Sequence, residues 1–72
     1  MVNTKEIKKL LIDKGMSAGN LAEIMGRSYA NVNAKINNKT PTTLKDAMKM
    51  QAILGIPNED FAFYFLADGD EE

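Results

Sequence analysis

Helix-stopping residues fall at Gly15, Gly26, Asn37-Asn38, Pro41, Gly55 and Pro57, so no uninterrupted stretch admits more than about four turns of helix. Between the stops, apolar residues recur at helical rather than strand spacing. Ile7, Leu10, Leu11 and Lys14 follow i, i+3, i+4, i+7, with the Lys14 stem able to lie along the apolar face. Leu21, Ala22, Ile24 and Met25 line a second segment, and Val32 and Ile36 make a stripe four residues apart on a third. Leu44, Ala47, Met48, Gln51 and Leu54 give a fourth, with Gln51 its odd member. The run Phe61-Ala62-Phe63-Tyr64-Phe65-Leu66 fits a short buried helix or an extended segment. We read it as helix to about Phe63 and extended beyond.

The starts of these segments carry capping residues. Asn3 with Glu6 and Thr43 with Asp46 have capping-box spacing, Ser17 and Ser28 are good N-caps, and Asn58 can cap the last segment. The expected helices are therefore residues 4–14, 18–25, 28–37, 43–54 and 58–63. Residues 1–66 form one domain in this reading, and residues 67–72 an acidic, disordered tail.

A chain of 72 residues makes one small domain. Such a domain buries roughly 60% of the surface its unfolded chain exposes, so its stability margin is thin. With no Cys and no His, disulfides, thiolate zinc sites and the commonest general base are all missing. There is also no phosphate-binding glycine loop, and the Asp68-x-Asp70 spacing lacks the rest of a calcium loop. These absences argue against an enzyme, and no cofactor, metal or small-molecule substrate is expected. The start, Met1 to Glu6, is too polar for a signal peptide, and no apolar run approaches the roughly 20 residues of a membrane span. Cytoplasmic residence without a membrane partner is the expectation.

The formal net charge of −1 hides a division. Residues 1–57 hold all nine bases and only four acids, a net +5, whereas residues 58–72 hold six acids and no base. A basic body with an acidic end suits a polyanion binder with a masking tail, or simply a mixed surface with a solubilising terminus.

The spacing Ala22, Gly26, Val32 has the form of a helix-turn-helix. A small residue lets the second helix cross closely at Ala22. Gly26 takes the positive φ of the turn, and Val32 faces the first helix to hold the crossing angle.

The surrounding residues extend this pattern. The chain resembles the lambdoid phage repressor and XRE family of DNA-binding domains from about Ile7 to Leu66. The resemblance is carried by Ile7-Lys8-Lys9-Leu10-Leu11, Gly15-Met16-Ser17, Leu21-Ala22-Glu23-Ile24-Met25-Gly26, Val32 to Lys39, Thr43 to Met50 and Leu54-Gly55-Ile56. Lys35 to Lys39 is similar to the K-L-N-G-K segment of small prophage repressors. The resemblance implies an all-α fold, a compact four- to five-helix bundle of the lambda-repressor-like type with a central helix-turn-helix. It also implies a transcriptional regulator, here of phage or prophage repressor kind, which lays helix 28–37 in the major groove of a double-stranded DNA operator and binds as a homodimer. The chain departs from the family at Ala18, where many members have a phosphate-holding Gln, and at Asn38, where glycine is usual.

The implied base-contacting residues are Tyr29, Ala30, Asn33 and Ala34. The Asn33 amide can pair with adenine N6 and N7, and is otherwise a solvated helix residue. Tyr29 can reach a phosphate or a thymine methyl, or pack half-buried beside Val32. Backbone contacts are expected from Ser17, Asn20, Arg27, Ser28, Asn31, Asn37, Asn38, Lys39 and Thr40. Arg27 has the alternative of pairing with Glu23 four residues earlier. Lys35 is the one cation within helix 28–37. Lys5, Lys8 and Lys9 can add a general positive field, but their favoured role is simply that of a solvated helix face. Phe61, Phe63, Tyr64, Phe65 and Leu66 are more apolar surface than a monomer of this size hides, so part of the run is expected to form the dimer interface. The competing reading is a protein-interaction module, antitoxin- or antirepressor-like, that keeps the fold without strong DNA binding.

Overall fold

The computed structural model describes residues 1–67, so the expectation for Asp68–Glu72 lies outside the described residues. Five α-helices follow one another: α1 Thr4–Asp13, α2 Ala18–Met25, α3 Tyr29–Ile36, α4 Leu44–Leu54 and α5 Phe61–Phe65. One turn of 3-10 helix, Asn58–Asp60, leads straight into α5. The described residues contain no strand, so the all-α expectation holds.

The punctuation acts largely as its chemistry dictates. Gly15, Gly26 and Gly55 all have positive φ, between 67° and 72°. Ser17 caps α2 by accepting from the Asn20 N–H at 3.0 Å, while the Asn20 side chain accepts the Ser17 N–H at 3.0 Å. This closed capping box is one the sequence reading did not assign. The two boxes it did assign have only their forward half. Asn3 caps Glu6, but its own N–H donates to the Tyr64 carbonyl at 2.8 Å. Thr43 caps Asp46, whose carboxylate is occupied by two cations instead.

The core gathers Ile7 and Leu11 from α1, Leu21, Ala22 and Met25 from α2, Val32 and Ile36 from α3, and Ala47, Met50 and Leu54 from α4, with Val2, Ile56 and Phe65. Two apolar faces are turned from the expected ones. On α4, Met50 is buried and Leu44 and Met48 are exposed; on α2, Ile24 is exposed. The α4 stripe is Asp46, Ala47, Met50 and Leu54, which also follows i, i+4 spacing and places one acid inside. Gln51 explains its odd position by donating to the Ile56 carbonyl at 3.1 Å and to Asn58 Oδ1 at 2.7 Å. Asn58 therefore serves Gln51 rather than capping a helix.

Helix α5 runs two residues further than expected, to Phe65. The chain after it is tied down. Ala67 N–H donates to the Met1 carbonyl at 2.9 Å, so Ala67 pairs with the N-terminal arm instead of opening a tail.

Candidate nucleic-acid interface

The α2–turn–α3 unit is built as its spacing suggested. Ala22 and Val32 are almost fully buried where α2 packs on α3. The left-handed Gly26 lets Arg27 N–H return to the Ala22 carbonyl at 2.9 Å, closing α2. Ser28 then sits extended and caps α3, its hydroxyl accepting the Asn31 N–H at 3.1 Å. The first turn of α3 thus starts sharply, with its remaining N–H groups facing out.

Helix α3 has two sides. Val32, Lys35 and Ile36 are buried; Tyr29, Ala30 and Asn31 are exposed, and Asn33 and Ala34 are half-buried beside them. Tyr29 is 58% exposed, which favours the outward role for its ring over packing beside Val32. A groove of about 430 Å³ runs from Lys8 and Ile12 on α1 past Ser17 to Tyr29 and Asn33. Asn33 is oriented by a neighbour: Asn37 Nδ2 donates to its carbonyl at 2.9 Å and to its Oδ1 at 3.2 Å. The Asn33 amide keeps its own Nδ2 donors, which make no hydrogen bond among the described residues, and a second lone pair on Oδ1. Ser17 and Asn20 are exposed at the start of α2, and their mutual bonds leave the Asn20 Nδ2 donors outward.

The charged residues near the turn are arranged otherwise than expected. Arg27 does not pair with Glu23. Its Nη2 donates to Asp46 Oδ1 at 2.9 Å, and Lys35 Nζ lies 3.5 Å from Asp46 Oδ2. Lys35 and Asp46 are both buried, whereas the Arg27 side chain is one-third exposed. One carboxylate on α4 thereby joins the turn and α3. Lys35 is held inside the bundle, away from the exposed side of α3. Among the described residues no buried side-chain polar atom lacks a partner. The signal in the sequence was an acid on the buried stripe of α4, which the capping-box spacing of Thr43 and Asp46 obscured.

The segment after α3 divides. Lys39 and Thr40 are exposed, with their N–H groups turned back to the Ala34 carbonyl at 2.8 and 3.4 Å. Asn37 is spent on Asn33. Asn38 faces inward: its Oδ1 accepts the Val2 N–H at 2.9 Å and its Nδ2 donates to the Val2 carbonyl at 2.8 Å. Its side chain is thus committed to the N-terminal arm, not presented to a backbone phosphate. Sequence reasoning missed Val2 and Thr4 as partners because these contacts join residues more than thirty positions apart.

The aromatic end divides too. Phe65 is buried in the core, so it cannot lie in a dimer interface. Phe61 and Tyr64 are half-buried, with Phe61 stacked at a tilt on Phe65 at 5.0 Å between centroids. Phe63 and Leu66 remain 53% and 65% exposed.

A family model described as the Cro/C1-type helix-turn-helix DNA-binding domain matches residues 6–63. The chain belongs to that family. The match spans all five helices except the ends of α1 and α5, and it contains the whole α2–α3 unit. No curated protein and no solved structure gives a significant match. Membership of the Cro/C1-type family makes this a DNA-binding domain of the kind that serves transcription regulation. No described helix is long and apolar enough to cross a membrane.

Proposed function

We propose that the chain is a sequence-specific regulator of phage or prophage repressor kind, which places α3 in the major groove of a double-stranded operator. The observation that carries this reading is the outer face of α3. It combines an exposed Tyr29, small residues at Ala30 and Ala34, and an Asn33 amide oriented by Asn37 with its donors free among the described residues. Small side chains permit close approach to base edges, and an oriented amide suits adenine. Ser17, Asn20, Ser28, Asn31, Lys39 and Thr40 flank this face and supply backbone contacts that set register. Phe63 and Leu66 join two copies, pairing recognition helices about one DNA turn apart.

Selection from fragmented genomic DNA tests the reading. The expected result is an enriched motif with two half-sites, and Asn33→Ala lowers affinity for it about 5- to 150-fold with relaxed preference at one position. Lack of any enriched motif overturns it. One observation favours the interaction-module reading: α3 offers no exposed charge, since Lys35 is held by Asp46. Under that reading, binding to duplex DNA is weak and Asn33→Ala changes nothing.

A further inference from the structure

Among the described residues, the non-glycine position with positive φ is Asn38, at 60°. Left-handed geometry is tolerated by Asn, but glycine meets it with less strain. Backbone conformation alone therefore does not require an amide here. What the amide adds is a bridge. Asn38 exchanges two hydrogen bonds with the Val2 backbone and donates to Thr4 Oγ1 at 3.2 Å. Thr4 Oγ1 in turn donates to the Ile36 carbonyl at 2.6 Å, the last residue of α3. The arm that receives Asn38 is itself held, by Asn3 N–H on the Tyr64 carbonyl and Ala67 N–H on the Met1 carbonyl. The segment carrying Lys39 and Thr40 is thus fixed from both sides, by α3 carbonyls and by the arm.

From this we infer that Asn38 is a positioning residue for DNA binding. Its side chain touches no DNA but holds the segment after α3 so that Lys39 meets a backbone phosphate in register with the recognition helix. The inference rests on the functional reading above. It assigns to Asn38 a role that the backbone turn by itself does not supply, and it makes the Met1–Thr4 arm part of the binding apparatus.

A double-mutant cycle between Asn38→Gly and Lys39→Ala tests it, with binding of a selected duplex followed by fluorescence anisotropy across a salt series. Glycine keeps the positive φ and deletes only the amide. Asn38→Gly weakens binding about tenfold in the wild-type background but only about twofold beside Lys39→Ala. It also makes the slope of log affinity against log salt shallower by about 1, as for one lost phosphate contact. A general loss of stability would act equally in both backgrounds and leave the slope unchanged. Thr4→Val, which removes one partner of the amide together with the bond to the Ile36 carbonyl and leaves residue 38 untouched, shows the same non-additivity at smaller size and serves if Asn38→Gly folds poorly. Equal fold-losses in both backgrounds with an unchanged slope, for either folded variant, overturn the inference. A wild-type chain that binds no duplex overturns the functional reading and this inference together, whereas additive losses on an intact wild-type affinity overturn the inference alone.

Discussion

Replacing Asp46 with alanine removes the carboxylate that neutralises two cations at once. Arg27, one-third exposed, can turn toward water; the Lys35 ammonium, on a side chain only 10% exposed, cannot do so without unpacking α3. Leaving one buried charge without its partner costs about 3–5 kcal/mol. A 72-residue chain has about 4–11 kcal/mol of total stability. At about 4–8 °C per kcal/mol, the melting temperature of Asp46→Ala falls by at least about 12 °C. Lys35→Met is the informative contrast. It keeps the length of the stem, leaves Asp46 paired with Arg27 at 2.9 Å, and shifts stability by about 1 kcal/mol or less. The double variant, Asp46→Ala with Lys35→Met, no longer buries a lone ammonium and melts above Asp46→Ala alone. Urea and thermal unfolding followed by far-UV circular dichroism measure all three. A double variant less stable than the Asp46 single would refute the reasoning, because the destabilisation would then not come from the orphaned lysine.

Three further outcomes follow from the same structure. Phe65→Ala unfolds the core at a loss of about 3–5 kcal/mol, whereas Phe63→Ser with Leu66→Ser leaves the melting temperature within a few degrees and, if the proposed dimer forms through this patch, yields a monomer in sedimentation equilibrium. Gly26→Ala meets no atom within 4 Å of its new Cβ, so the loss is that of a left-handed alanine, about 1–2 kcal/mol by urea unfolding; a much larger loss would mean that the turn is closed by something other than backbone geometry. Ending the chain after Ala67 removes four acids and turns the net charge from −1 to +3, so affinity for duplex DNA rises at low salt and converges with the full chain at high salt; an unchanged low-salt affinity would make the acidic end a solubilising one only.

The helices were legible because their signals are local. Gly26 at a left-handed turn and Ser28 as a cap depend on residues within a few positions of one another, and the Ala22–Val32 crossing lies within one continuous helix-turn-helix. What escaped is long-range. Asp46 has a correct local reading as a partner of Thr43, and its N–H does bond there, yet its carboxylate is claimed by Arg27 nineteen residues away. Asn38 was legible as a left-handed residue and illegible as a clamp on Val2. Phe65 could not be told from Phe63 by sequence, since a five-residue helix carries too few turns to fix which side faces in. Local chemistry fixes where a helix starts and stops; the partner of a polar side chain is decided by whichever element the fold brings against it.

The same distinction changes how the charge of the body should be weighed. Arg27, Lys35 and Asp46 together keep one positive charge, but it is drawn into the bundle behind α3. The exposed cations that remain are Lys5, Lys8 and Lys9 on α1, Lys14 just after it, Lys39 beyond α3, and Lys45 and Lys49 on α4. The outer face of α3, proposed above to read bases, is uncharged, and the exposed lysines lie on other parts of the chain. Under the proposed function, affinity and sequence choice are carried by different residues. Neutralising a lysine on α1 weakens binding to every duplex alike, while altering Tyr29 or Asn33 changes which duplex is preferred and leaves the salt slope nearly as it was.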